Sequence, residues 1–105
     1  MITFEQAIAE EEFVITGEIS APVSAGPTEL EDKIDLLKDS VHAINITDNP
    51  GATAHMSSLA GCAIVRNKGI DPILQITCRD RNRLAIQSDL MGASALGIKN
   101  VLTLG

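Results

Sequence analysis

Four short apolar, β-branched runs alternating with three helical patterns predict an α/β fold on a parallel sheet, and their even spacing predicts the first four strands and three helices of a TIM (β/α)8 barrel, a partial barrel. The runs lie at 13–19, 43–47, 73–77 and 101–104. Aligned by apolar pattern, Thr16, Asn45, Gln75 and Thr103 occupy equivalent places and recur every 28 to 30 residues. An eight-fold barrel of ordinary length uses roughly 31 residues per unit. The last two helix-to-strand joints repeat one another as well. Gly69-Ile70-Asp71-Pro72-Ile73-Leu74 and Gly97-Ile98-Lys99-Asn100-Val101-Leu102 share Gly-Ile, two spacers, a β-branched residue and Leu.

Each element has its local reason. A short amphipathic start over 4–11 is expected to lie as a lid across the bottom of the sheet. The first long helix opens at Gly26-Pro27-Thr28, with Thr28 and Glu31 in capping-box spacing and Leu30, Ile34, Leu37 and Val41 on one stripe. Acidic residues stand at its start and Lys33 and Lys38 later, as the helix dipole prefers. The second helix is expected over 53–68, with Met56, Leu59, Ala60, Ala63 and Ile64 as its apolar face and Gly69 as its stop. The third starts near Asp80, includes Leu84, Leu90, Met91 and Ala95, and stops at Gly97 in the same way.

The polar residues inside the strands suggest a lumen. Thr16, Asn45, Gln75 and Thr103 are polar between apolar neighbours, and strand side chains alternate between faces. Two residues further along the same face come Glu18, Thr47, Thr77 and Gly105, toward the strand ends where barrel enzymes build their sites. One polar strand residue alone marks a solvated face; recurrence in all four runs favours a lumen. An open doubly wound sheet is the competing architecture, but neither G-x-G-x-x-G nor a P-loop follows the first run.

Composition narrows the function classes. A net charge of -6, two Phe and no Trp or Tyr argue against nucleic acid as a partner. No apolar run approaches the roughly 20 residues of a membrane span, and the first residues lack a signal-peptide pattern, so no membrane partner and a cytoplasmic location are expected. Cys62 and Cys78 stand apart without a Cys/His cluster, so free thiols and no metal site are expected. Cys62 is placed in the core, and Cys78 is read as a packed thiol rather than a nucleophile, since neither His42 nor His55 has an obvious route to it.

Four motifs then occur in order: Thr16-Gly17-Glu18-Ile19-Ser20-Ala21-Pro22, Asn45-Ile46-Thr47-Asp48-Asn49, Met56-Ser57-Ser58-Leu59-Ala60, and Gln75-Ile76-Thr77-Cys78-Arg79-Asp80-Arg81-Asn82-Arg83. Together they resemble the first half of the methylenetetrahydrofolate reductase family, and particularly its shorter prokaryotic and archaeal branch. The resemblance spans almost the whole chain. It implies a barrel that binds flavin, FAD or alternatively FMN, takes hydride from NADH or NADPH, and reduces methylenetetrahydrofolate to methyltetrahydrofolate.

The same resemblance implies roles for particular residues. Glu18 matches the general acid that protonates the departing ring nitrogen of the folate; carboxylic acids keep a proton near neutral pH where they are desolvated. Thr47 matches a threonine lying against flavin and nicotinamide, and Asp48 stands at a flavin-packing position that is aromatic in some bacterial members. Gln75 replaces a histidine of some relatives and keeps hydrogen bonding toward the flavin ring. Thr77 and Arg79 follow at the strand mouth, where Arg79 or Arg81 could pair with a phosphate or a carboxylate. Arg83 points away down the helix.

The family's barrel continues after its fourth strand with a flavin-tuning Gly-Asp pair and further strands, so residues 1–105 are expected to be the N-terminal portion of an incomplete barrel domain. Such a sheet leaves its inner face and two edges uncovered, which implies homo-oligomerisation or association with the missing barrel half. The expected function is folate reduction by the whole enzyme. The alternatives are a noncatalytic flavin- or folate-binding subunit completing a barrel with a partner chain, and a different pterin- or phosphate-binding barrel.

Overall fold

A computed structural model describes residues 3–10 and 13–105. It contains four helices, α1 (Phe4–Ala9), α2 (Thr28–Leu37), α3 (Ser58–Asn67) and α4 (Arg83–Ala95), and four strands, β1 (Thr16–Ile19), β2 (Ala43–Ile46), β3 (Asp71–Thr77) and β4 (Asn100–Leu104). The strands pair in parallel in chain order, β1-β2-β3-β4. Parallel neighbours need a crossover, and α2, α3 and α4 provide the three. Because each crossover steps in the same direction along the sheet, crossovers of one hand place every helix on one face.

The core agrees with that geometry. Ile19, Ile44, Ile46 and Leu74 from the strands meet Leu30 and Ile34 of α2, Cys62 and Val65 of α3, and Ala93 of α4 in a single buried cluster. A doubly wound sheet reverses its strand order and carries helices on both faces. Here the order runs one way, so the four-stranded α/β sheet is compatible with an arc of a TIM barrel. Helix α3 approaches the sheet closely because Gly61 lacks a side chain: a Cβ there would stand 2.8 Å from Ile46 Cγ2. Ser58 Oγ donates to the carbonyl of Gln75 at 2.8 Å and ties the same helix to β3.

Several boundaries differ from the sequence expectation. Strand β1 begins at Thr16 rather than 13, and Phe13 is 87% exposed. Thr28 makes no capping box; it is the first residue of α2, and the N-cap position is Pro27, which has no side-chain acceptor. Helix α3 starts at Ser58, where Ser57 Oγ accepts from the Ala60 N–H at 3.1 Å, and residues 53–57, which follow a 3-10 turn at Pro50–Ala52, form a loop. Asn82 caps α4 in the same manner, its Oδ1 accepting from the Ala85 N–H at 2.8 Å. Both helix stops stand as expected, Gly69 and Gly97 having φ of +83° and +78°.

The start of the chain lies under the sheet. Thr3 and Gln6 form a reciprocal capping box on α1, and the Phe4 N–H donates to Asp71 Oδ2 at 2.8 Å, at the N-terminal end of β3. Phe4 also lines, with Thr16, Asn45, Ile73, Asn100 and Leu102, an open depression of about 510 Å3 on the helix-free face. The expected lid is thus present over 4–10; Glu11 lies outside the described residues.

Register corrects one expectation about that helix-free face. Glu18 pairs with Asn45, Asn45 with Ile73, Ile73 with Asn100, and Gln75 with Leu102. Thr103 pairs with Ile76, so it lies on the helix side and not beside Gln75. The cause is local: Val101, Leu102 and Leu104 are all apolar, and alternation gives no phase to a strand that is exposed on both faces. Among the described residues, no helix is long and apolar enough to cross a membrane.

Candidate active site

Three consecutive strands bring Glu18, Asn45 and Gln75 onto the helix-free face, near the C-terminal ends of the strands. The register places Glu18 beside Asn45, and Gln75 lies one pleat further along β3 on the same face. Asn45 Nδ2 donates to Glu18 Oε1 at 2.9 Å and to Gln75 Oε1 at 3.2 Å. Glu18 is exposed, whereas Asn45 and Gln75 are buried, so the network runs from solvent into the sheet. Its valences are not all filled. Among the described residues, Asn45 Oδ1 is buried without a hydrogen-bond partner, and so is the Thr47 hydroxyl just past the end of β2. Leaving such groups unpaired costs roughly 1–3 kcal/mol each, which a ligand or water recovers by bonding to them.

The rim above is built differently. Asp48 is fully enclosed and its carboxylate is saturated: Oδ2 accepts from the Thr77 N–H at 2.8 Å, from Thr77 Oγ1 at 3.1 Å and from Arg81 Nη1, while Oδ1 accepts from Arg81 Nη2 at 3.1 Å. Arg81 also donates to Asp89 of α4 at 3.0 Å and to the Thr77 carbonyl at 3.1 Å. Burial works to raise the Asp48 pKa, but the Arg81 guanidinium and the Thr77 donors outweigh it and hold the carboxyl below its ordinary value. Hydrogen bonding to Asp48 raises the Arg81 pKa in turn. This bidentate pair clamps the ends of β2 and β3 to the start of α4.

Of the residues singled out in the sequence, Glu18, Thr47 and Gln75 come to the helix-free face or its mouth, with polar atoms left over. Asp48 and Thr77 satisfy one another. Arg79 turns to the adjacent loop, where Nη2 donates to the Asn49 carbonyl and Nε to Asp80, each at 2.9 Å. Arg81 does pair with a carboxylate, but it is the chain's own Asp48. Asn45 was legible only as a polar strand residue; its junction between Glu18 and Gln75 depends on the stagger of three strands, which apolar alignment does not resolve.

The remaining candidates lie elsewhere. Cys62 is buried, and that burial pushes its thiol up to about 12, consistent with a core residue. Cys78 is free but exposed, which corrects the expectation of a packed thiol: the residue follows the end of β3, beyond the cover of the helices. His55 is not in a helix; its ring Nδ1 lies 2.7 Å from the Thr53 carbonyl in the loop before α3. Among the described residues no group of three or more His, Cys, Asp or Glu is placed to hold a metal ion.

The family model for methylenetetrahydrofolate reductase matches residues 3–105. No curated protein matches the chain. On the family match, the chain belongs to the methylenetetrahydrofolate reductase family, whose members are typically flavin-dependent oxidoreductases.

Proposed function

We propose that this chain carries the acid-bearing wall of a methylenetetrahydrofolate reductase site, in which Glu18 is the general acid for reduction of methylenetetrahydrofolate to methyltetrahydrofolate. The observation that carries this reading is the placement of Glu18: an exposed carboxyl at the C-terminal end of β1, on the helix-free face, held at one oxygen by Asn45. Its other oxygen makes no hydrogen bond among the described residues and is available to a substrate.

The chemistry sets what that carboxyl must do. The five-membered ring of the folate opens when its C–N bond breaks, and the electron pair leaves with the departing nitrogen. A proton delivered to that nitrogen from the Glu18 carboxyl makes it a neutral amine and leaves an electrophilic iminium carbon. Hydride addition to that carbon completes the methyl group. Glu18 regains its proton from solvent, to which it is open.

When bound, a flavin, assigned as FAD with FMN as the alternative, would supply the hydride chemistry, with NADH or NADPH as donor, and Thr47 and Gln75 would hold it. Two features fit such a group: the buried Thr47 hydroxyl without a partner, and the Gln75 amide, which bonds Asn45 through Oε1 alone. Both are uncharged and suit the polar edge of a neutral ring. Asp48 and Thr77 support the rim through Arg81, and Arg79 braces the loop at Asn49.

The helix-free face of the sheet is only partly covered, and Leu102 and Leu104 on it are 42% and 38% exposed. We assign its cover to further strands of the barrel, whether contributed by the same polypeptide or by an associated one, and a cytoplasmic location accompanies this reading. Replacing Glu18→Gln in the intact protein tests the acid. Folate reduction is expected to fall by about 10²-fold or more, while nicotinamide-to-flavin transfer changes by less than about twofold. Equal loss of both half-reactions removes Glu18 from the role.

A further inference from the structure

We infer that Asn45 is a positioning residue that joins Glu18 to Gln75 and fixes Gln75 to present its amide N–H, not its carbonyl, toward the ligand. The inference rests on the proposed site but concerns a residue that the reaction does not itself require.

Asn45 Nδ2 donates to Glu18 Oε1 at 2.9 Å, an oxygen that accepts whether or not the other carboxyl oxygen carries a proton. That same Nδ2 lies 3.2 Å from the end of the Gln75 side chain. A donor there selects the Gln75 carbonyl, and Oε1 is captured. The Gln75 Nε2, which makes no hydrogen bond among the described residues, is left to donate. The acceptor oxygen of Glu18 thereby sets the hydrogen-bonding polarity of a residue two strands away. The ligand atom that meets Gln75 is then an acceptor, a ring nitrogen or a carbonyl oxygen.

Burial makes the coupling tight. Asn45 is 8% exposed and Gln75 9%, so water competes little for either amide. The cost of the arrangement is visible in Asn45 Oδ1, buried and unpaired while Nδ2 serves both neighbours. From α2, Lys33 lines a separate shallow depression together with Glu18, Ile19 and Ser20, and it pairs with Glu29 at 3.4 Å. Neutral Asn45 faces Glu18 from β2. The amide on β2 is therefore the direct partner through which the state of Glu18 reaches Gln75.

Side-chain amide NMR on the chain, without cofactor or folate, tests the coupling independently of activity. In the wild type the NH2 signals of Asn45 and Gln75 are expected to shift with pH at the midpoint of the Glu18 carboxyl, and this shift is expected to vanish in Glu18→Gln. Asn45→Asp keeps the shape but replaces the donor with a second carboxyl, so the Glu18 midpoint should rise by about one pH unit or more. In the intact protein the alkaline limb of the pH profile for folate reduction, where the general acid loses its proton, should move upward by the same amount, a change that loss of packing alone does not produce. Gln75 signals insensitive to Glu18 overturn the inference, as does a Glu18 midpoint unmoved in Asn45→Asp. Should Asn45→Asp fail to fold, the comparison of wild type with Glu18→Gln decides alone. If folate reduction proves absent while the amide coupling is present, the proposed activity fails and the positioning role stands.

Discussion

The helix-free face of the sheet and the rim above it are both polar, yet they satisfy their polar groups in opposite ways. At the rim, Asp48, Thr77 and Arg81 compensate one another completely, with two charges of opposite sign and every carboxylate oxygen occupied. On the face, Glu18, Asn45 and Gln75 share two hydrogen bonds, while Asn45 Oδ1 and the nearby Thr47 hydroxyl have no partner among the described residues. The first arrangement clamps the ends of β2 and β3 to α4, and both oxygens of its carboxylate are occupied. The second leaves valences that a ligand or water can fill. Polar residues at strand ends divide by residual valence more usefully than by their identity or position.

The sharpest way to break that contrast is to remove the rim carboxylate. Asp48→Ala leaves the Arg81 guanidinium, whose side chain is only 15% exposed, without its main partner. A loss of about 3 kcal/mol in denaturant unfolding is expected. A change below about 1 kcal/mol would mean that the pair is not the clamp described. Packing on the helix side gives the next effect. Gly61→Ala drives a Cβ against Ile46 and should cost about 1–3 kcal/mol in the same measurement.

Acid titration gives a smaller signal with a definite sign. The folded Asp48 pKa lies below the unfolded value of 3.8, so its contribution to stability is present above that value. It is lost as pH falls through the lower folded pKa, because the unfolded chain binds the proton first. Unfolding followed below about pH 4 should show this component in the wild type and not in Asp48→Asn.

Much of this fold was legible beforehand because local physics repeats along the chain. Gly69 and Gly97 stop α3 and α4, and the strand spacing follows from one helix and two joints per unit. The residues that misled did so where local pattern lacks information. Thr28 looked like a cap, but the helix begins one position too early for it. Thr103 looked inward because β4 is apolar on both faces. The partner of Asp48, Arg81, was not readable from local pattern, since it stands 33 residues away and is brought near only by the β2–β3 pairing. Glu18 needed less: its strand, its face and its rim position were each readable from alternation.

Glu18→Gln, with unfolding free energy and folate reduction measured on the same preparation of the intact protein, tests the division between architecture and chemistry most directly. The account predicts stability within about 0.5 kcal/mol of wild type together with loss of folate reduction and retained nicotinamide-to-flavin transfer. A protein that loses stability by several kcal/mol, or that still reduces folate at the wild-type rate, would contradict it.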